Sequence, residues 1–245
     1  MQVIYGINPV TEMLQGGAKG VQRIVVAGTR GGEDMKVLLG LAARAGVPVE
    51  YRDRAYLEKL AGTGNHQGAV CLCRDFEYAG LDDLVSNRRE PFVEGLIVIL
   101  DGVTDPQNLG ALLRTARCFG ANGVVIPQDR ASPVTPAVVK ASAGAALHLP
   151  VARVVNLANT LERLKKEGYW IYGAEARSGT DLEKVNFGGA VALVMGSEGK
   201  GIRPLVRKKC DFFVSIPLPG NFESLNVSVA AGIILHQIDL GRKRS

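Results

Sequence analysis

Long apolar runs are missing from this chain of 245 residues. No stretch approaches the roughly 20 residues that a bilayer-spanning helix requires, so a membrane partner is not expected. The start, MQVIYGINPV, has no positive segment followed by an apolar one, and no secretory leader is expected. Cysteine is scarce: Cys71, Cys73, Cys118 and Cys210 are the four in the chain. No histidine lies at finger spacing from the first two. A strand over them is expected to turn the two thiols to opposite faces, poor geometry for a shared metal ion. Buried, reduced thiols in a cytoplasmic protein and no metal site are the resulting expectation. Internal repeats and low-complexity tracts are absent as well.

What is present suffices for a sizeable core. Hydrophobic residues make up 47% and charged residues 22%, which excludes a disordered chain. The net charge is +5, permissive for a polyanionic partner without demanding one. Its distribution is more telling. Residues 1–74 carry 9 basic and 6 acidic side chains, residues 75–94 carry 2 and 6, and residues 95–245 carry 18 and 12. Two basic blocks flank an acidic connector, which points to two nucleic-acid-facing modules on a linker that is not itself a contact surface.

In the first block, Val21–Ala27, Val47–Tyr51 and Ala69–Cys73 read as strands and Asp34–Ala45 and Tyr56–Leu60 as helices. Residues 75–94 read as a linker with a turn or two of helix at Leu81–Val85. In the second block, strands are expected at Leu96–Leu100, Val124–Ile126, Trp170–Ala174, Val191–Met195 and Phe213–Ile216. Helices are expected at Leu109–Phe119, Pro136–Ala143, Leu157–Lys166 and Asn226–Leu240. Continuous apolar strands between helices imply a mostly parallel sheet covered on both faces, whose ligands bind beyond the carboxyl ends of the strands. The tail, 242–245 (RKRS), reads as a frayed basic end.

Three loops after strands could carry chemistry. The first is DGVTDPQNLGALLR, 101–114. Asn108 stands where a helix N-cap is expected. Arg114 and Arg117, three apart, share a face away from the apolar stripe, and on charge alone they are two solvated arginines. The second is MGSEGKG, 195–201. Its glycines let backbone approach a ligand closely. It is not a phosphate-binding loop, because Gly201 rather than Ser or Thr follows Lys200. Nor does it fit a dinucleotide fingerprint, because its glycines fall at positions 1, 4 and 6. Glu198 would repel phosphate and suits a ribose hydroxyl or a cation. The third is IPLPGNFESLNVS, 216–228, where Ser224 or Asn226 caps the last helix and Asn226 and Ser228 leave polar groups at the mouth of an apolar helix. Each loop taken singly is also explained as a tight turn or a cap. The missing fingerprints argue against a kinase or dehydrogenase.

Together, DPQNLGALLRTARCFGANGVVIP, ALVMGSEGKGI and IPLPGNFESLNVSVAAGIIL resemble, in order and spacing, the three signature motifs of the SpoU/TrmH family within the SPOUT class of RNA methyltransferases. IYGINPVTEML and NHQGAV are similar to marks of that family's N-terminal substrate-binding domain, which resembles a ribosomal-protein fold. The resemblance covers nearly the whole chain and implies domains at 1–74 and 95–245, the second tied in a deep trefoil knot. It implies S-adenosylmethionine as cofactor, lined by Gly196, Ile216 and Leu225 together with Met195, Leu218 and Gly201. It implies a homodimer in which Arg114 of one subunit faces the cofactor of the other. Arg114 is then the candidate base or positioning group, Asn108 orients it or the ribose, Glu198 fixes loop or substrate, and Ser224 and Asn226 shape the pocket. The implied substrate is a guanosine in the peptidyl-transferase region of 23S rRNA. Transfer RNA and a non-enzymatic RNA-binding role are the alternatives.

Overall fold

A computed structural model describes residues 1–15, 17–18, 20–28, 32–86, 95–176, 178–219 and 224–243. The last eight residues of the expected linker, residues 220–223 of the third loop and the last two of the tail lie outside the described residues. The chain forms two compact units, Met1–Glu77 and Tyr78–Ser245.

The first unit is a four-stranded sheet with helices on both faces. Its elements are β1 (Gln2–Tyr5), α1 (Ile7–Gln15), β2 (Val21–Ala27), α2 (Glu33–Arg44), β3 (Val49–Arg52), α3 (Arg54–Ala61) and β4 (Ala69–Cys73). The strand order is β1-β4-β2-β3. Strand β4 runs antiparallel to β1 and β2, whereas β2 and β3 are parallel. Strand alternation sorts the core. Ile24, Val26, Cys71 and Cys73 meet α1 and α2 on one face, while Val25, Val70 and Leu72 meet Leu57 of α3 on the other.

This corrects the expectation for the cysteines. Residues two apart in a strand share a face, and the Cys71 and Cys73 sulfurs lie 3.4 Å apart. The Cys73 contact and burial push the Cys71 thiol up, which keeps it protonated inside the core. Strand β1 and helix α1 were not expected as elements. One is four residues long and the other carries Pro9 in its first turn, which leaves little periodicity to detect.

The second unit begins earlier than the expected linker boundary. Ala79 bridges Ala152, and α4 (Leu81–Ser86) buries Leu84 fully. The described part of that segment is therefore packed structure. Strand β5 (Leu96–Asp101), α5 (Pro106–Cys118), β6 (Gly123–Pro127), α6 (Pro136–Ala141), β7 (Val151–Val154) and α7 (Leu157–Lys166) follow. Then come β8 (Tyr169–Ala174), β9 (Thr180–Asp181), β10 (Ala190–Gly196), α8 (Pro204–Arg207), β11 (Phe212–Ser215) and α9 (Val227–Lys243). Seven strands form one sheet in the order β7-β6-β5-β10-β8-β11-β9. All the pairings between them are parallel. Ile97, Ile99, Val125, Ile171, Ala192 and Val194 pack with α4 and α7 on one face. Helices α5, α6 and α9 pack together on the other. The sheet is thus covered on both sides, as its continuous apolar strands require.

Leu84 tests the packing of α4. A Cβ on Gly123 would stand 2.3 Å from the Leu84 Cγ, so the leucine fills the space a side chain there would take. Leu84→Ala is expected to cost about 2–5 kcal/mol. Denaturant unfolding of the full chain checks this, and an unchanged midpoint would show that α4 is a passive connector.

Candidate active site

The site lies beyond the carboxyl ends of β8, β10 and β11, where open parallel sheets hold their ligands. A cavity of about 490 Å³ opens there, within the usual range for small-molecule sites. Met195, Gly196, Glu198, Gly201, Ile216, Leu218, Ser224 and Leu225 line it. Arg114, Asn108 and Asn226 do not.

The wall from β10 is a closed loop. Ser197 N donates to Gly201 O at 3.1 Å and Gly201 N donates back to Ser197 O at 2.9 Å. Gly199 and Gly201 hold left-handed φ values of 78° and 64°, which lets the chain turn within five residues. Gly196 is required for a different reason. A Cβ there would stand 2.2 Å from the Gly201 carbonyl carbon, so only glycine lets the loop fold back on its own strand.

Beyond that loop, Asp101 anchors the chain. Its side chain is fully buried at the end of β5. It accepts from Arg203 N at 2.8 Å and from Arg203 Nε at 2.5 Å. A buried carboxylate is tolerable because both oxygens are paired, and the pair fixes the loop's far end.

The three motif loops meet in one network. Asn226 Nδ2 donates to Glu198 Oε1 at 2.7 Å and to Asn108 Oδ1 at 2.9 Å. Asn108 Nδ2 donates to the same Glu198 oxygen at 3.2 Å. Asn226 Oδ1 caps α9 by accepting from Ser228 N at 2.9 Å. Asn108 is not the cap of α5. Asp105 is, accepting from Asn108 N at 2.8 Å. The helix starts earlier than expected because Pro106 suits its first turn, which frees the Asn108 side chain for Glu198. Asn108 and Asn226 therefore stand behind the cavity wall, bonded to its Glu198.

Arg114 and Arg117 stand exposed on α5. Among the described residues Arg114 makes no hydrogen bond or ion pair.

Reasoning from sequence missed a fourth wall, the segment after β8. Ala174, Glu175 and Ser178 line the cavity with Arg207. Arg207 Nε donates to Glu175 Oε1, and Arg207 Nη2 to Oε2 at 3.2 Å. Ser178 Oγ donates to Oε2 as well. The Arg207 guanidinium, above all, holds the Glu175 carboxyl below its ordinary range. The same guanidinium lies 4.7 Å over the Phe213 ring. Like the other three loops, this one follows a strand and contains a glycine, Gly179, and that is the signal that could have found it.

The cavity therefore has a largely apolar lining, the carboxylates Glu175 and Glu198, an arginine already committed to the first of them, and the exposed Lys200. Such a set suits a ring system bearing a cationic centre. Among the described residues no group of three or more His, Cys, Asp or Glu is placed to hold a metal ion. No described helix is long and apolar enough to cross a membrane.

The chain is similar to known proteins over nearly its whole length. Residues 95–236 match the SpoU rRNA Methylase family, and residues 3–79 match RNA 2'-O ribose methyltransferase substrate binding. The chain is 40% identical over 240 residues to the 23S rRNA (guanosine-2'-O-)-methyltransferase RlmB of Coxiella burnetii, covering 98% of this chain and 96% of that protein. It is 42% identical over 235 residues to YacO of Bacillus subtilis, named for the TrmH family of tRNA/rRNA methyltransferases, covering 96% and 94%. Its fold is similar to that of the SpoU methyltransferase AviRb of Streptomyces viridochromogenes in complex with AdoMet. There the TM-score is 0.73 at 22% identity, over 99% of this chain and 91% of that one. With a family match over most of the second unit and relatives near 40% identity across nearly all of both, the chain belongs to the SpoU rRNA methylase family.

Proposed function

We propose that this protein transfers a methyl group from S-adenosylmethionine to a ribose 2'-hydroxyl in RNA, a guanosine in the peptidyl-transferase region of 23S rRNA. The observation that carries the proposal is the cavity beyond β8, β10 and β11 with the Asn108–Glu198–Asn226 network at its rim. Its lining fits the cofactor: apolar side chains for an adenine ring, carboxylates near a cation, and glycine backbone that permits close approach. Bound there, S-adenosylmethionine supplies a methyl group already activated by a positive sulfur.

The chain's own residues do the rest. Met195, Ile216, Leu218 and Leu225 exclude water around the reacting centre, which strengthens local electrostatics. Gly196 and Gly201 offer backbone. Glu198 holds the loops in register, and Ser224 closes the rim. A ribose hydroxyl is a weak acid and needs a base or an orienting group. Arg114 has that role, either taking the hydroxyl proton or fixing the hydroxyl's direction. A guanidinium gives up its proton reluctantly, which makes direct deprotonation demanding.

The active form is a homodimer in the cytoplasm, with Arg114 serving the partner's cavity. Supporting this, Arg114 is exposed and outside the cavity of its own chain. Val229 and Ile233, one turn apart on α9, are also exposed, at 51% and 40%, an apolar stripe suited to a second copy. The second unit is knotted in this reading. A strand order that places β10 between β5 and β8, with α9 returning to α5, supports it. The first unit binds the RNA substrate.

Ribose methylation mapped by mass spectrometry in rRNA and tRNA from a strain lacking the protein tests the reading. One 23S guanosine mark is expected to vanish, and purified protein with S-adenosylmethionine is expected to restore it. Loss of a tRNA mark with rRNA intact would move the substrate to tRNA. Calorimetry showing no cofactor binding would leave only an RNA-binding role.

A further inference from the structure

Strands β2 and β3 of the first unit are parallel and joined through α2, so this unit has its own carboxyl-end crevice. A depression of about 580 Å³ opens there, lined by Ala27, Gly28, Tyr51, Arg52, Asp53 and Arg54. Tyr51 is 60% exposed although it is a large aromatic residue on an edge strand. The charges around it are not equal in status. Glu50 pairs with Arg52 and with Arg23. Asp53 is committed to capping α3, accepting from Tyr56 N at 2.8 Å. The Arg52 guanidinium lies 5.6 Å over the Tyr56 ring. Arg54 is exposed and makes no ion pair with any described residue.

We infer that this depression binds one unpaired nucleotide of the RNA substrate, with its base stacked on Tyr51 and its phosphate on Arg54. One free aromatic face beside one free cation matches the repeat of single-stranded nucleic acid, which offers one base face and one phosphate per residue. A duplex hides its base faces, so the occupant is unpaired. The inference rests on the RNA-methyltransferase reading and deepens it, because it assigns the first unit a definite contact.

The test uses the full-length protein and two probes, a ten-residue oligouridylate carrying 5-iodouridine and an RNA duplex of equal length. Irradiation is expected to cross-link the oligouridylate to the peptide containing Tyr51. Tyr51→Ala is expected to weaken oligouridylate binding about tenfold, as loss of one stacked base does, while Tyr51→Phe keeps it. Arg54→Ala is expected to reduce the salt dependence of binding by about 0.7 in log–log slope, the share of one phosphate on a single strand. Cofactor binding by calorimetry stays as in the wild type for all three. Wild-type protein that methylates RNA while Tyr51→Ala and Arg54→Ala bind the oligouridylate unchanged would overturn the pocket alone. Equal or stronger loss on the duplex would overturn the unpaired nucleotide. A wild-type protein that neither binds nor methylates any RNA would overturn this inference and the methyltransferase reading together.

Discussion

Gly196→Ala is expected to weaken S-adenosylmethionine binding roughly a hundredfold while leaving most of the fold in place. The added Cβ would stand 2.2 Å from the Gly201 carbonyl carbon and 2.4 Å from the Ile202 nitrogen. Neither atom is the end of a flexible side chain. The strand cannot yield, because β10 is paired on both sides, to β5 and to β8, near the centre of the sheet. The loop must move instead, and two devices hold it: the reciprocal Ser197–Gly201 bonds and the Asp101–Arg203 clamp. Overpacking of this kind costs about 1–3 kcal/mol where the structure absorbs it. The loop that absorbs it is the cavity wall, so the loss appears in binding. Calorimetry is expected to show cofactor affinity lowered by roughly a hundredfold, the equivalent of the upper part of that cost. Gly188→Ala is the control, since no atom lies within 4 Å of a Cβ there. Near-wild-type affinity in Gly196→Ala would show that the loop does not contribute the cavity wall.

The elements that sequence made legible were those with a long period or a continuous apolar run. Helix α7 begins and ends where its spacing predicts, and β2 coincides with its β-branched run. Some four-residue elements escaped, β1, β7 and α8, although β3 and β11, equally short, were expected as strands. Boundaries shifted where capping chemistry was ambiguous. Both Asp105 and Asn108 are good cap residues, and only the three-dimensional course of α5 shows that Asp105 caps while Asn108 reaches elsewhere. The acidic segment read as a linker holds the expected turn or two of helix as α4; its packing through Leu84, Leu81 and Val85 against the sheet is a tertiary fact that local pattern does not carry.

The site was legible as three loops and not as a site. Each loop has an ordinary explanation as a turn or a cap, and that explanation is partly correct: Asn226 does cap α9. What joins them is tertiary. Glu198 lies 90 positions from Asn108 and 28 from Asn226, and no local pattern encodes their shared hydrogen bonds. The Asp101–Arg203 clamp spans 102 positions and is equally silent in sequence. The motif resemblance supplied the grouping that local physics lacked, and the fold explains it, because a parallel sheet brings the ends of β5, β10 and β11 to one edge.

Arg114→Ala separates chemistry from binding. The side chain lies outside the cavity of its own chain, so its removal is expected to leave calorimetric cofactor affinity unchanged. Turnover is expected to fall about 10²–10⁴-fold, the usual contribution of a positioned proton-transfer group. Full activity would remove Arg114 from the mechanism. The same variant decides which subunit it serves. In a mixed dimer of Arg114→Ala with Gly196→Ala, assayed at a cofactor concentration that leaves the Gly196→Ala cavity nearly empty, action within one chain leaves both sites dead, since one chain lacks the arginine and the other a filled cavity. Action across the dimer leaves one complete site, made of the cavity of the Arg114→Ala chain and the arginine of its partner. Random assembly makes half the dimers mixed, each with one site of two, so co-assembled material should regain about a quarter of wild-type turnover. Mixed dimers isolated through two affinity tags should reach about half. No recovery in isolated mixed dimers would place Arg114 with the cavity of its own subunit, and the exposed face of α5 would then need another partner.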